Sequence, residues 1–262
     1  MGRRGLRLAA VFYLAVLLIL PVGLVAKRTF EHGVAPVWDA LTTPAALHAF
    51  QITAAVAGLA VVANTVFGVL AALLLVRGRL PFKRLFNAVI DLPIAVSPVV
   101  VGLALILVYG RNAPLGGWLD DHGVQMIFAL PGMVLATVFV SLPLVVREVV
   151  PVLEEIGTEQ EQAAWTLGAS AFQTFRRVTL PAIRWALAYG VVLTLARSLG
   201  EFGAVAVVSG RLVGKTQTAT LFVEEKYQNF DQAAAYATSF ALAAVAVLIL
   251  VVITVLRTRE EH

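Results

Sequence analysis

Six apolar segments with few charges are spaced along the 262-residue sequence, and they constrain its fold more than any other feature. Each is near or above the ~20 helical residues that cross ~30 Å of hydrocarbon, and only the fifth contains charged residues. The hydrophobic share of 60% exceeds the share of about one half that soluble domains have. The sequence therefore predicts an all-α membrane protein that forms one domain over 1–262. The predicted transmembrane helices lie near 8–26, 49–76, 92–110, 123–146, 185–208 and 232–256.

The distribution of basic residues predicts the orientation of these helices. Of 20 Lys and Arg residues, 13 fall in the N-terminus, the second loop, the fourth loop and the C-terminus, and six fall in the alternate loops. Because cytoplasmic loops carry the excess of Lys and Arg, both termini and the 157–181 loop are expected in the cytoplasm. The first apolar segment could also be a cleavable signal peptide, although it is long for that purpose.

Composition excludes several classes of function. The absence of cysteine excludes disulfides, thiolate metal sites and a cysteine nucleophile. The four histidines lie outside the apolar segments without metal-like spacing, so no metal site is expected. The net charge of +4 is concentrated in loops where membrane orientation explains it, so no nucleic-acid partner is expected. No nucleophile–base pair recurs at a common depth, which disfavours a membrane-embedded enzyme.

The longest strongly polar interval runs over 157–181 and is predicted to form two short helices. Thr158 with Glu161, and Ser170 with Gln173, each have the spacing of a capping box, in which two side chains satisfy free backbone N–H groups at a helix start. The first helix is expected to end at Gly168, which suits a left-handed C-terminal position. A surface helical hairpin between two spans has the same capping pattern.

The spacing within this interval favours a more specific interpretation. Gln162-Ala163-Ala164, then Gly168 after three residues, then Val178-Thr179-Leu180-Pro181 after nine more, resembles the EAA loop of ABC-importer permeases. Two positions depart from that pattern, because Gln162 stands where Glu is usual, beside Glu161, and Val178 stands for Ile. Pro181 is expected to end the second helix.

The resemblance implies a fold like that of type I ABC importer permeases, with the 157–181 loop as a coupling helix docked on a cytoplasmic ATPase. It implies that the partner ATPase binds ATP and Mg²⁺ and that this chain holds no cofactor. A segment that looks like a phosphate-binding loop, 210–216, has three residues between its glycines where the motif needs four. The residues implied to couple to the ATPase are Glu161, Gln162, Ala163, Ala164, Gly168, Leu180 and Pro181.

The third and fifth spans carry the residues expected to line a path or gate. The third opens with Asp91-Leu-Pro-Ile-Ala-Val-Ser-Pro98, where two prolines predict a kink. The fifth holds Arg197 and Glu201 one turn apart near its middle, where charges are costly and usually mark a pathway. A simple kink and an architectural ion pair remain as alternatives. Asn64 and the small residues of the second span predict helix packing. The predicted path residues are Ser97, Pro98, Arg197, Gly200, Glu201 and Gly203.

Two of these stretches carry a further resemblance. The third span is similar to that of oxyanion importers, and the segment starting RSLGEFGAVAVVSG resembles the W-type permease subunit of sulfate/thiosulfate importers. This implies a bacterial inner-membrane protein that pairs with a sister T-type permease, two ATPase copies and a periplasmic sulfate-binding protein. A molybdate or tungstate permease shares part of the second stretch. An ion-gradient-driven secondary transporter with Glu201 as proton carrier is the competing class.

Overall fold

The computed structural model describes residues 3–78 and 81–258, and all regular secondary structure in these ranges is helical. Within these ranges, five helices are long and apolar enough to cross a membrane, and a bent pair makes six if it counts as one span. The helices are α1 (Arg3–Leu14), α2 (Leu20–Phe30), α3 (Ala35–Leu41), α4 (Pro44–Arg77), α5 (Lys83–Ala95), α6 (Pro98–Tyr109), α7 (Pro114–Asp121), α8 (Leu130–Glu155), α9 (Glu159–Thr166), α10 (Ala171–Thr174), α11 (Leu180–Leu199), α12 (Gly203–Val208), α13 (Ala219–Gln228) and α14 (Gln232–Thr258).

Helices α4, α8 and α11 form the centre of the bundle, where small residues let the backbones approach closely. A Cβ on Gly68 would lie 2.6 Å from the Cβ of Val145, and a Cβ on Gly190 would lie 3.0 Å from the Cα of the same valine. The amide nitrogen of Asn64 donates to Ser141 Oγ at 2.8 Å. The packing role predicted for Asn64 and Gly68 is therefore confirmed.

The third apolar segment does not form the single kinked span predicted over 92–110. It divides into α5 and α6, which are bent by 111°. Val96 and Ser97 between them are extended, with ψ of 134° each. The residue before a proline is disfavoured in the helical region, and Pro98 supplies no N–H to continue the helix. The break therefore lies at Ser97–Pro98, whereas Pro93 is accommodated inside α5.

The fourth and fifth spans are displaced from their predicted limits. Residues 123–129 precede the fourth helix, because Gly123 and Phe128 have left-handed φ values and Pro131 sits in the first turn of α8. The fifth span was predicted over 185–208, but a continuous helical stretch runs from Ala171 to Leu199 and ends in a break before α12.

Pro181 does not end the second loop helix as predicted. Helix α10 passes through a π-helical turn, Phe175–Thr179, directly into α11, and Leu180 N–H donates to the Phe175 carbonyl. Pro181 lies in the first turn of α11, where a missing N–H is tolerated. The loop and the fifth span are therefore one continuous helical element.

The N-terminal and C-terminal helices pack on each other at the edge of the bundle. Thr29 Oγ1 in α2 donates to the Tyr236 carbonyl in α14 at 3.1 Å, and Phe30 meets Phe240 edge-on at 5.0 Å. The candidate first span covers Ala9–Phe30, close to the predicted 8–26.

Candidate functional site

The turn between α9 and α10 has the predicted left-handed glycine. Gly168 has a φ of +82°, its N–H donates to the Trp165 carbonyl at 2.9 Å, and Ala169 N–H donates to the Ala164 carbonyl at 3.0 Å. The following capping box is also confirmed, because Gln173 N–H donates to Ser170 Oγ and Ser170 N–H donates to the Gln173 side chain. Local sequence therefore determines the bend of the loop.

The first predicted capping box is wrong. Thr158 makes no side-chain cap, and its hydroxyl instead accepts a hydrogen bond from Gln162 Nε2 at 2.9 Å. Glu161 turns into the protein, where its Oε1 accepts from Thr179 Oγ1 at 2.8 Å and its Oε2 accepts from Arg77 Nε at 2.9 Å. A charged partner that also donates at good geometry stabilises the carboxylate more than a backbone N–H does.

Arg77, which sequence reasoning did not select, holds the base of the loop. Its Nη1 donates to the Leu153 carbonyl at 3.0 Å and its Nη2 to the Gly157 carbonyl. The side chains of Arg77 and Glu161 are only 19% and 8% exposed. This buried ion pair joins the ends of α4 and α8 to α9 and, through Thr179, to the start of α11. The sequence did contain a signal for this role. Arg77 follows the second apolar segment directly, on the same predicted side of the membrane as the 157–181 loop.

The other predicted coupling residues lie on the outside of the loop. Gln162, Ala163, Gly168 and Pro181 are exposed, while Ala164 and Leu180 are half-buried. A cavity of about 320 Å³ lies between the two arms, lined by Leu167 and Arg177 among others. Leu167 is 87% exposed and Phe172 70%. Glu161 is the one predicted coupling residue that faces inward. The loop therefore presents an exposed apolar surface with a cavity in it, and the buried carboxylate of Glu161 holds that surface in place from inside.

Replacing Gly168 with Val should disrupt this surface while leaving the bundle intact. No atom lies within 4 Å of a Cβ built at Gly168, so the penalty is conformational, about 1–2 kcal/mol for a side chain in the left-handed region. We expect uptake and co-purification of an ATPase to fall while membrane insertion is retained. Gly168→Asn, which tolerates this φ, is the matched variant that should keep both. Equal loss in Val and Asn variants would contradict the conformational explanation.

Arg197 and Glu201 form the predicted ion pair, but at a different position in the helix. Arg197 Nη1 lies 2.7 Å from Glu201 Oε2. Arg197 is in the last turn of α11 and Glu201 is in the break before α12, so the pair is at the end of the helix rather than at the middle of a span. The contact lacks hydrogen-bond geometry, because Oε2 has no hydrogen-bond partner among the described residues. Arg197 is therefore held by charge without a fixed donor geometry.

Glu201 is fixed from two other directions. Its Oε1 accepts the Ala204 N–H at 2.9 Å at the start of α12, and its carbonyl accepts from Thr220 Oγ1 at 3.0 Å. Glu201 is 3% exposed, whereas the Arg197 side chain is 38% exposed. Of this pair, Arg197 is the group that can meet a solute.

The remaining predicted path residues lie near these two breaks. A Cβ on Gly203 would lie 3.0 Å from Pro98 Cβ, so the break of the third span contacts the start of α12. Ser97 is exposed beside Pro98. Gly200 lines a cavity of about 270 Å³ together with residues of α14 such as Ala243. The structure thus brings Ser97, Pro98 and Gly203 together, and it places Gly200 on the α14 side.

A further ion pair, which the sequence does not predict, joins α5 to α8. Arg147 Nε donates to Asp91 Oδ1 at 2.8 Å, and its Nη2 donates to Asp91 Oδ2 and, at 3.1 Å, to Asn87 Oδ1. The residues are 56 positions apart in sequence, so no local pattern could pair them. Residues 210–216 follow α12 rather than a β-strand, which removes the context that a phosphate-binding loop requires.

Known proteins resemble this chain over nearly its whole length. Residues 64–259 match the family described as binding-protein-dependent transport system inner membrane component. The chain is 50% identical over 253 residues to the sulfate transport system permease protein CysW of Synechocystis sp., which covers 97% of this chain and 92% of that relative. It is 46% identical to CysW of Escherichia coli strain K12, with 95% and 85% covered. It is 37% identical to CysT of the same strain, with 95% and 90% covered.

A solved structure shares the fold. A chain of a bacterial alginate ABC transporter, solved in complex with an alginate pentasaccharide-bound periplasmic protein, has a TM-score of 0.76 and 17% identity, covering 98% of this chain and 94% of that chain. The predicted all-α permease fold is confirmed by this likeness and by the apolar helices. On the match over 64–259 and the relatives of 46–50% identity, the chain belongs to the family of binding-protein-dependent transport system inner membrane components.

Proposed function

We propose that this chain is the W-type permease subunit of an ATP-driven importer that carries sulfate, and also thiosulfate, into the cytoplasm. The observation that carries the proposal is the 46–50% identity to CysW sulfate permeases over 95–97% of the chain. Identity to CysT is lower, at 37–38%. This difference supports a W-type subunit paired with a T-type sister.

The complete transporter in this proposal has five polypeptides of four kinds. One W-type and one T-type permease span the bacterial inner membrane, two ATPase copies bind ATP and Mg²⁺, and a periplasmic protein delivers sulfate. The exposed apolar surface of the 157–181 loop supports its assignment as the ATPase contact, since large exposed apolar patches mark interaction sites. The excess of basic residues in alternate loops supports a cytoplasmic location for both termini. In this arrangement the permease transports and its partner hydrolyses ATP.

The transport path in this proposal follows the breaks of the third and fifth spans. Irregular backbone at membrane depth is tolerated where protein or a water-filled cavity surrounds it. Ser97 and Pro98 contribute one break, and Gly200, Glu201 and Gly203 the other. Arg197 offers the half-exposed positive charge that an anion can meet.

Reconstitution tests this function against the ion-gradient alternative. We expect proteoliposomes with the complete complex, the binding protein and internal ATP to accumulate [³⁵S]sulfate, and liposomes with this chain alone to accumulate none under an imposed proton or sodium gradient. Gradient-driven accumulation by the lone chain would support a secondary transporter instead.

Anion competition separates the oxyanions. The Arg197–Gly203 segment also resembles molybdate permeases, so molybdate, tungstate and thiosulfate are each added at tenfold excess over sulfate. We expect thiosulfate to compete strongly and molybdate weakly. ATP-driven molybdate uptake without sulfate uptake would assign the chain to the molybdate class.

A further inference from the structure

We infer that Arg147, held by Asp91, forms a second binding site for a tetrahedral oxyanion, which the anion reaches on the cytoplasmic side of Arg197. The inference rests on the proposed function, because it concerns the path of the same anion. Arg147 and Asp91 are joined by a bidentate contact, and their side chains are 38% and 41% exposed.

Asp91 and Arg147 lie well inside their helices, although they flank the predicted spans 92–110 and 123–146 rather than lying in them. Asp91 is eight residues after the start of α5 and Arg147 is eight residues before the end of α8, so both lie about 12 Å from the cytoplasmic ends of their helices. Charged side chains at membrane depth are costly and face the bundle interior or a water-filled cavity. The exposed side of this pair is therefore expected to face water or a partner permease, and not lipid.

The same helices relate Arg147 to Arg197. A Cβ on Gly190 in α11 would lie 3.5 Å from Glu148 Cβ, which fixes the register of α11 beside Arg147. Arg197 is seven residues further along α11, or about 10 Å closer to the exterior. The broken third span connects the two pairs, since Asp91 lies in α5 and Pro98, at the start of α6, contacts Gly203. Two half-exposed arginines are therefore separated by about 10 Å along the axis of α11.

The two carboxylates differ in how firmly they are held. Glu201 is buried and caps α12 through Oε1. The Asp91 carboxylate hydrogen-bonds only Arg147 among the residues that the structure describes. An arginine fork that donates to two carboxylate oxygens can also donate to two oxygens of a sulfate ion. A dianion that arrives at Arg147 can therefore take the place of Asp91, while Asn87 retains its hydrogen bond to Nη2.

This exchange also accounts for the location of Asp91 on a separate short helix. Asp91 neutralises Arg147 when no anion is present, which lowers the cost of a partly desolvated cation. Helix α5 is separated from α6 by the Ser97–Pro98 break, so it can shift against α8 without carrying α6 with it. Movement of α5 would then release or restore the Asp91 contact and thereby control the affinity of Arg147 for the anion.

Transport by the complete complex tests the assignment with neutral variants of both residues. We expect Arg147→Gln to lower the maximal rate of [³⁵S]sulfate uptake about tenfold, the equivalent of one charged hydrogen bond, with the KM for sulfate-loaded binding protein unchanged. The double variant Arg147→Gln/Asp91→Asn removes both charges. It should assemble like the parent, because deleting a whole pair leaves no unpaired charge, yet remain slow. Parental transport by the double variant would overturn the inference.

Sulfate-dependent stability gives an independent readout. Asp91→Asn leaves Arg147 without its carboxylate, so sodium sulfate should raise the Tm of this purified complex by several degrees more than sodium chloride at equal ionic strength. Sulfate also raises the Tm of proteins non-specifically because it is excluded from their surface, so the double variant should show only that smaller baseline difference. A purely structural pair would give an Asp91→Asn complex whose Tm difference between sulfate and chloride equals that of the double variant, and that result would also overturn the inference.

The controls separate this inference from the proposed function. Arg28→Gln removes an arginine from the exposed Arg28–Glu31 pair and should leave both readouts at parental values. If the parental complex imports no sulfate at all, the proposed function fails. If the parent imports sulfate and Arg147→Gln/Asp91→Asn imports it equally well, only the second anion site is wrong.

Discussion

Arg77→Ala should lower sulfate uptake by the complete complex by about 100-fold or more. The substitution removes the donors to Glu161 and to the Gly157 carbonyl in the loop and the donor to the Leu153 carbonyl in α8, and it leaves Glu161 as a buried carboxylate without its counter-charge. Breaking a buried pair in this way costs about 3–5 kcal/mol. That cost lowers the fraction of molecules with the native loop conformation by more than about 100-fold. The measurements are uptake in proteoliposomes, the amount of ATPase that co-purifies, and the rate of ATP hydrolysis.

Matched variants distinguish a specific effect from general loss of charge. Arg84→Ala removes an exposed basic residue at the start of α5 and should retain parental uptake. Arg77→Ala/Glu161→Ala should regain much of the stability lost in the single variant, because the unpaired carboxylate is gone, but the loop remains detached from α4 and uptake stays low. Parental uptake and ATPase retention in Arg77→Ala would show that this pair does not position the loop.

The second large effect is expected at Arg197 and Glu201. Arg197→Gln and Glu201→Gln should each lower uptake about tenfold or more, since each leaves the other charge of the pair uncompensated, and a tenfold change corresponds to only about 1.4 kcal/mol. Glu201→Ala should be worse than Glu201→Gln, because Gln keeps the oxygen that caps α12 and a lost cap costs about 1 kcal/mol. Folded complex, ATPase stimulation and uptake are scored for each variant.

The double variant decides whether this pair is part of the path or only packs the helices. Arg197→Gln/Glu201→Gln should assemble but transport slowly. A comparable double variant in the partly exposed pair Arg211–Glu224, whose charged atoms lie 2.9 Å apart, should transport at the parental rate. If Arg197→Gln/Glu201→Gln also transports normally, the pair is neither path nor gate.

Apolar segments predicted the helical class and the approximate spans, but not where the backbone breaks. Hydropathy measures solvent preference averaged over about 20 residues, so it does not distinguish a continuous helix from α5 and α6 at 111°. The Ser97–Pro98 sequence indicated that the helix bends at this point, but not by how much. The end of α11 at Leu199 had a weaker signal, because Gly200 and Gly203 also fit close packing.

Local chemistry and long-range contacts explain the different outcomes within the loop. Gly168 and Ser170 act through neighbouring backbone groups, so their roles were predicted from a few residues of sequence. Glu161 has a partner 84 positions away in Arg77. Thr158, three residues before Glu161, fits the local pattern of a capping box. Only the tertiary structure shows that Glu161 instead binds the distant Arg77.

The helical stretch from Ala171 to Leu199 is continuous, so it can tilt as one rigid rod. One end of this rod lies in the loop, and Arg197 lies near the other end. Its 29 residues span about 43 Å. A tilt of about 5° about the π-helical turn, roughly 20 residues or about 30 Å from Arg197, would move the Arg197 end by about 3 Å, comparable to the length of a hydrogen bond. The π-helical turn at Phe175–Thr179 lies near the fulcrum, beside the Glu161–Thr179 hydrogen bond. A small displacement of the loop thus needs no intermediate joint to change the position of Arg197.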